Sequence, residues 1–181
     1  MKKTLPVIIA VLIIAGSSVA WKLSKKEAPA PVVTSFEECV KAGNAVMESY
    51  PRRCRHGDKT FVEDIGNTIE KADLIRLESP RPNEIVRSPL VLLGQARGNW
   101  FFEASFPVFL VNWDGLIIAQ GIATAKSEWM TTEFVPFEAT LKFTADKNAY
   151  SPRGSLILRK DNPSGLPEHD DALEIPVIIS E

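Results

Sequence analysis

Two cysteines, two histidines and scattered carboxylates are the residues with which this chain could do chemistry. Cys39 and Cys54 lie close in sequence, with His56 just beyond. A zinc site needs paired ligands at short spacing. Two cysteines and one nearby histidine do not supply that, and His169 is remote. A thiol–disulfide catalyst needs Cys-x-x-Cys, which is absent. A structural Cys39–Cys54 disulfide is therefore expected, formed in an oxidising compartment. Closing a loop of about 15 residues stabilises by roughly 3 kcal/mol in the chain-entropy model. Glu103 and Glu138 form an imaginable carboxylate pair, but strand alternation puts both on outward faces, where they read as solvated charges. Glu168, His169, Asp170 and Asp171 lack the spacing of a calcium loop and read as a polar turn after Pro163-Ser164-Gly165. No nucleophile elbow, phosphate loop, dinucleotide fingerprint or His-Glu-x-x-His occurs. The expectation is a non-enzyme with no cofactor and no metal site.

The aromatic residues offer binding rather than catalysis. Trp100, Phe101, Phe102, Phe106, Phe109 and Trp113 crowd one stretch. Core packing is the default for such residues. By parity Phe102, Phe106, Val108 and Leu110 share an inward face. That leaves Trp100, Phe101, Phe109 and Trp113, with Trp129, as a candidate exposed binding patch.

The elements that must position these residues are mostly strands. From Ala72 onward no helical period occurs. Leu74–Leu77, Ile85-Val86, Leu90–Leu93, the run from Phe102 to Leu110, Leu116–Thr124, Val135–Phe143, Leu156–Leu158 and Leu173–Ile179 read as short strands. Turn residues separate them, and Asn112-Trp113-Asp114-Gly115 is a strong hairpin turn. Pro107 inside a run requires a bulge or an edge. The set predicts an all-β, immunoglobulin-like β-sandwich over residues 72–181.

Residues 34–67 form a smaller Cys-pair segment. Ser35 with Glu38 makes a capping box for a short helix from Phe36 to about Ala42, which Gly43 and Asn44 stop. His56-Gly57-Asp58 offers a turn and Thr60–Val62 a strand. Residues 23–33, alternating Ala and Pro, read as a semi-rigid spacer. Residues 1–22 combine Lys2-Lys3 with an apolar run to Ala15 and small residues to Ala20. They read as a signal peptide cleaved after Ala20 or as a membrane anchor. Either places the rest outside the cytoplasm. With 21 basic and 23 acidic residues and no basic stripe, nucleic acid is not an expected partner.

The stretch Ser79–Gly115, with Ser127–Phe143 and Lys160–Val177, resembles the bacterial spore-germination immunoglobulin-like domain family. The resemblance spans about residues 74–179. Ser79-Pro80-Arg81-Pro82, Trp100-Phe101-Phe102-Glu103 and Pro136-Phe137 are its most specific pieces. It implies an extracytoplasmic adhesion or interaction module without catalytic residues. The expected role is a cell-envelope binding module whose partner is an envelope protein or a cell-wall glycan. The alternatives are a structural accessory subunit of an envelope assembly and, well behind, an enzyme acting on the cell wall.

Overall fold

The computed structural model describes residues 32–181. The expected signal or anchor segment, 1–22, and nearly all of the 23–33 spacer lie outside the described residues. Among the described residues no helix is long and apolar enough to cross a membrane. Ser35–Glu181 forms one compact unit.

The unit begins with α1 (Phe36–Lys41), where the Ser35 hydroxyl accepts the Glu38 backbone N–H at 3.1 Å. The helix ends at Gly43, which takes a positive φ. Three short strands follow, β1 (Val46–Met47), β2 (Arg53–His56) and β3 (Lys59–Val62), in an antiparallel sheet of order β1-β2-β3. Gly57-Asp58 turns β2 into β3, with His56 paired to Lys59. Cys39 on α1 and Cys54 on the central strand are joined by the expected disulfide, with Cα atoms 6.0 Å apart and both residues fully buried. The bond ties a helix of six residues to a sheet too small to hold a core alone.

A four-residue helix, α2 (Thr68–Lys71), leads into the sandwich. Its strands are β4 (Ile75–Ser79), β5 (Ile85–Val86), β6 (Leu90–Arg97), β7 (Ser105–Asn112), β8 (Ile117–Ala125), β9 (Phe134–Leu141), β10 (Arg153–Arg159) and β11 (Ala172–Ile179). They hydrogen-bond in the order β4-β6-β9-β8-β7-β10-β11-β5. The ladder nearly breaks in the middle, because β8 meets β9 only at Thr124–Glu138 and Ala125–Phe137. There it folds over. Phe106 of β7 and Phe137 of β9 are two strands apart in the ladder, about 10 Å in a flat sheet. Their ring centroids are 5.0 Å apart, so the two halves face each other. β4-β6-β9 correspond to the A-B-E strands of an immunoglobulin sandwich, and β7-β10-β11 to C-F-G. The first strand of the sandwich is split between layers: β4 runs antiparallel to β6, while β5 runs parallel to β11. The core is Ile75, Leu92, Phe106, Leu110, Phe137, Leu141, Leu156, Leu158, Leu173 and Ile175 with their neighbours, all inward by alternation.

The long extended run expected from Phe102 does not form. Phe102 and Ser105 exchange two backbone hydrogen bonds of 3.0 Å each, and Glu103 and Ala104 between them both have positive φ. This is a two-residue hairpin turn. It takes Phe102 to the surface, where it is 41% exposed, and β7 begins only at Ser105. Pro107 neither bulges nor sits on an outer edge strand. It lies where β7 pairs with β8 but has not yet reached β10, whose pairing starts at Val108. A residue without an N–H is tolerated there because only one neighbouring strand is present.

The Cys-pair segment closes the edge of β11. β5 pairs with β11 only at Ile178 and Ile179. Asn67 takes over further along: its N–H donates to Glu174 O at 3.2 Å, its Oδ1 accepts the Glu174 N–H at 2.8 Å, and its Nδ2 donates to Ala172 O at 2.9 Å. Gly66 makes the approach possible. Its φ is positive, and a Cβ there would sit 1.9 Å from Glu174 O. Asn83 adds a clamp, donating from its backbone to Pro176 O and from Nδ2 to Asp64 O. Arg153–Glu37 and Lys71–Asp171 ion pairs flank the contact.

Candidate functional site

The five aromatics expected at the surface do not gather there. Trp100 ends a single 3-10 turn, Gly98–Trp100, that drops into the sandwich, and it is 1% exposed. Phe101 is 4% exposed and packs on Phe106 with ring centroids 5.2 Å apart. Both belong to the core, for different reasons: the positive-φ turn at Glu103-Ala104 shifts the inward register so that Phe101 takes the place assigned to Phe102, and the 3-10 turn carries Trp100 inward. Trp129 is half-buried and packs against the core. Its backbone passes so close to Gly98 that a Cβ there would lie 2.3 Å from Trp129 O. Phe109 faces outward on β7, half-buried, opposite Gln120 of β8 and Ile157 of β10.

Only Trp113 of the five is openly exposed, at 47%. Its position is built locally. Gly115 N–H donates to Asn112 O at 3.1 Å, and Asn112 N–H donates to Leu116 O at 2.9 Å. The Asn112 side chain closes the loop by accepting the Leu116 N–H at 2.8 Å. With Gly115 at φ 84, this is a three-residue hairpin loop ending in a glycine bulge. Trp113 stands at its first position, where nothing from the core can cover it. Tyr150, from the segment between β9 and β10, leans on it with ring centroids 5.3 Å apart and is itself 88% exposed. Beside the pair is a cleft of about 170 Å³ lined by Asn112, Ile118, Thr144, Asp146, Lys147 and Ser151, among others. Exposed aromatic faces next to a polar notch suit contact with a ligand that has both apolar and hydrogen-bonding surface. Tyr150 was missed from sequence; its one signal is a large aromatic in an otherwise polar, turn-rich stretch.

The remaining clusters are occupied with structure. Ser164 Oγ accepts the Leu166 N–H at 3.2 Å, donates to Asn162 Oδ1, and contacts His169 Nδ1 at 3.0 Å. A hydroxyl has one proton. With that proton on Asn162, His169 must donate to Ser164, the reverse of what a general base does. Glu103 is exposed at its turn, and Glu138 is paired with Lys126 at 2.9 Å. His56 bonds Asn44 Oδ1 at 3.1 Å and not the cysteines. Among the described residues no group of three or more His, Cys, Asp or Glu side chains could hold a metal ion.

A larger cleft of about 700 Å³ lies where the Cys-pair segment meets β4, lined by Tyr50, Arg52, Glu63, Leu77 and Arg81, among others. It holds the buried Glu63 carboxylate, gripped by two guanidinium nitrogens of Arg52. The Arg52 hydrogen bonds hold the Glu63 carboxyl below the ordinary carboxylate value.

The chain matches no curated protein and no solved structure. A family model does match, over residues 74–165, which spans β4 to β10 together with Trp113 and Tyr150 and leaves the Cys-pair segment and β11 outside. That is just over half of the chain, and with the A-B-E and C-F-G strand order it establishes that the chain belongs to the family of the immunoglobulin-like domain of bacterial spore germination.

Proposed function

We propose that this protein is a non-catalytic binding module of the bacterial cell envelope. Its N-terminal segment delivers it across the cytoplasmic membrane or holds it there, and its immunoglobulin-like domain engages a cell-wall glycan or an envelope protein. The observation that carries this reading is the exposed Trp113–Tyr150 pair at the hairpin tip. Two adjacent, solvent-exposed aromatics forgo burial that either would gain in the core, and such residues concentrate where binding energy does. Membership of an immunoglobulin-like family supports a module that works by contact rather than turnover.

The test is a sedimentation assay with purified peptidoglycan alongside a pull-down from envelope extract. Wild type, Trp113→Ala and Tyr150→Ala are compared after thermal unfolding has shown that all three are folded. Binding that both substitutions weaken at least tenfold is expected. Binding to neither preparation, or binding indifferent to both substitutions, would remove the tip as the site. An alkaline phosphatase fused after Val33 should be active, and an inactive fusion would count against export.

A second reading rests on the Cys-pair segment, where Val40, Met47, Tyr50 and Val62 are all exposed. In a structural accessory subunit that apolar surface docks on the rest of an envelope assembly. Val62→Lys would then abolish the pull-down while Trp113→Ala would not.

A further inference from the structure

The hairpin tip holds more than two exposed rings. Trp113 and Tyr150 are inclined at 50° to each other. The electron-rich face of an aromatic ring attracts polarised C–H groups as well as apolar surface. The adjoining notch of about 170 Å³ is lined by side chains whose hydrogen-bonding capacity is only part used. Asn112 Oδ1 accepts the Leu116 N–H, which fixes the amide orientation and leaves the Nδ2 hydrogens uncommitted. Asp146 Oδ1 accepts the Asn148 N–H at 2.9 Å and leaves Oδ2 as an acceptor. Ser151 Oγ accepts the Arg153 N–H at 3.2 Å and keeps its proton to donate. The Thr144 hydroxyl has no partner among the described residues. Donors and acceptors therefore stand together next to aromatic faces. That set fits a ligand with hydroxyls around its rim and C–H groups on its face, which is a sugar ring.

Charge narrows the choice. Two charged side chains line the notch, Asp146 and Lys147. Lys147 Nζ lies 2.9 Å from Glu181 Oε1, so its charge is met within the chain. The charge left over is that of Asp146, and Asp114 adds another of the same sign beside Trp113. A polymer of phosphates, sulfates or carboxylates meets like charge there. Extended and helical peptides are held by a strand edge or a long apolar groove. A notch of this size, lined largely by the turn-rich stretch 144–152, offers neither. With the tip as the binding site, as the proposed function has it, we propose that the notch holds one pyranose ring of an uncharged glycan, stacked against the Trp113–Tyr150 pair and hydrogen-bonded by Asn112, Thr144, Asp146 and Ser151. Sugar is thereby favoured over protein, and a neutral glycan over an anionic one.

The test is microcalorimetric titration of the full chain in a non-ionic detergent, at low ionic strength so that charge is not screened. The probes are cellohexaose and N-acetylchitohexaose, both uncharged, and dextran sulfate, which carries the anionic chemistry. Wild type, Trp113→Ala, Thr144→Val and Asp146→Asn are compared, with Phe102→Ala as an exposed-aromatic control at the other end of β7. Asp146→Asn keeps an oxygen for the Asn148 N–H and replaces the free acceptor by a donor, so the turn is retained. Thermal midpoints check that each variant is folded, and Tyr150→Ala stands in should Trp113→Ala fail to fold. Wild type and Phe102→Ala should bind at least one uncharged oligosaccharide, and bind dextran sulfate at least tenfold more weakly. Trp113→Ala should weaken the sugar at least tenfold, and Thr144→Val and Asp146→Asn by about three- to tenfold each, the range of one lost hydrogen bond. No binding of either uncharged probe, while Trp113→Ala still abolishes the envelope pull-down, would overturn the proposal and leave the tip as a protein-binding site. Tighter binding of dextran sulfate would overturn it, as would sugar binding that both notch substitutions leave unchanged. Sugar binding and pull-down both indifferent to Trp113→Ala would remove the tip reading and this assignment with it.

Discussion

Asn67→Ala probes how the small segment is fastened to the sandwich. The substitution removes two hydrogen bonds, Oδ1 from the Glu174 N–H at 2.8 Å and Nδ2 to Ala172 O at 2.9 Å. It keeps the backbone bond from Asn67 N–H to Glu174 O. Each lost bond contributes about 0.5–1.5 kcal/mol net, and full desolvation of an orphaned buried group would cost about 1–3 kcal/mol. The site is only part-buried, so water can reach β11 once the side chain is gone, and the lower range applies. The expected loss is about 1–3 kcal/mol, read as a lower urea midpoint at constant slope. The Glu174 amide should also exchange faster, while amides of β10 that face β7 should change only with global stability. A loss under about 0.5 kcal/mol, with the Glu174 amide still protected, would refute the reasoning. It would mean that Asn83 and the Arg153–Glu37 and Lys71–Asp171 pairs hold the edge without Asn67.

Phe106→Ala removes a fully buried ring that touches Phe101 and Phe137, and should cost about 3–5 kcal/mol in thermal or urea unfolding. Trp113→Ala, by contrast, should stay within roughly half a kcal/mol of wild type, and a loss comparable to that of Phe106→Ala would return Trp113 to the core. Replacing Cys39 and Cys54 together by Ser should lower stability by about 3 kcal/mol, and an unchanged urea midpoint would remove the bond from the stability account. The Glu63 carboxyl is depressed by Arg52, so its contribution is complete above the unfolded value of about 4.3 and is lost as pH falls through the lower folded value. The stability gap between wild type and Arg52→Met should therefore be widest near neutrality and close in acid, and a gap independent of pH would exclude the ion pair as its source.

Strand content, the sandwich class and the disulfide were legible because each is a local or one-dimensional signal. Val135, Phe137, Ala139 and Leu141 alternate, and all four are buried on one face of β9. Ser35 and Glu38 mark a helix start that the structure keeps, and the only two cysteines pair. The Asn112–Gly115 turn falls where its residue types put it. The aromatic assignment failed at one point, because Glu103 and Ala104 carry no glycine or asparagine to advertise a positive-φ turn. Counting parity straight through that turn sent Phe102 inward and left Phe101 outside, while the burial of Trp100 comes from the 3-10 turn Gly98–Trp100, which alternation does not describe.

What the sequence determined by itself is which residues alternate, which turns are cheap, and that two cysteines lie close enough along the chain to pair. What only the tertiary structure decided is where those elements meet. Tyr150 reaches Trp113 across 37 positions of chain, and Asn67 reaches Glu174 across 107. How the strand edges are covered, β11 by Asn67 and β8 by β9, which bonds it at Thr124 and Ala125 and packs against Gly121, is likewise a matter of packing. Periodicity records the environment of a residue along its own strand. It holds no record of which distant backbone will supply a hydrogen bond, because that depends on how two layers close over a shared core.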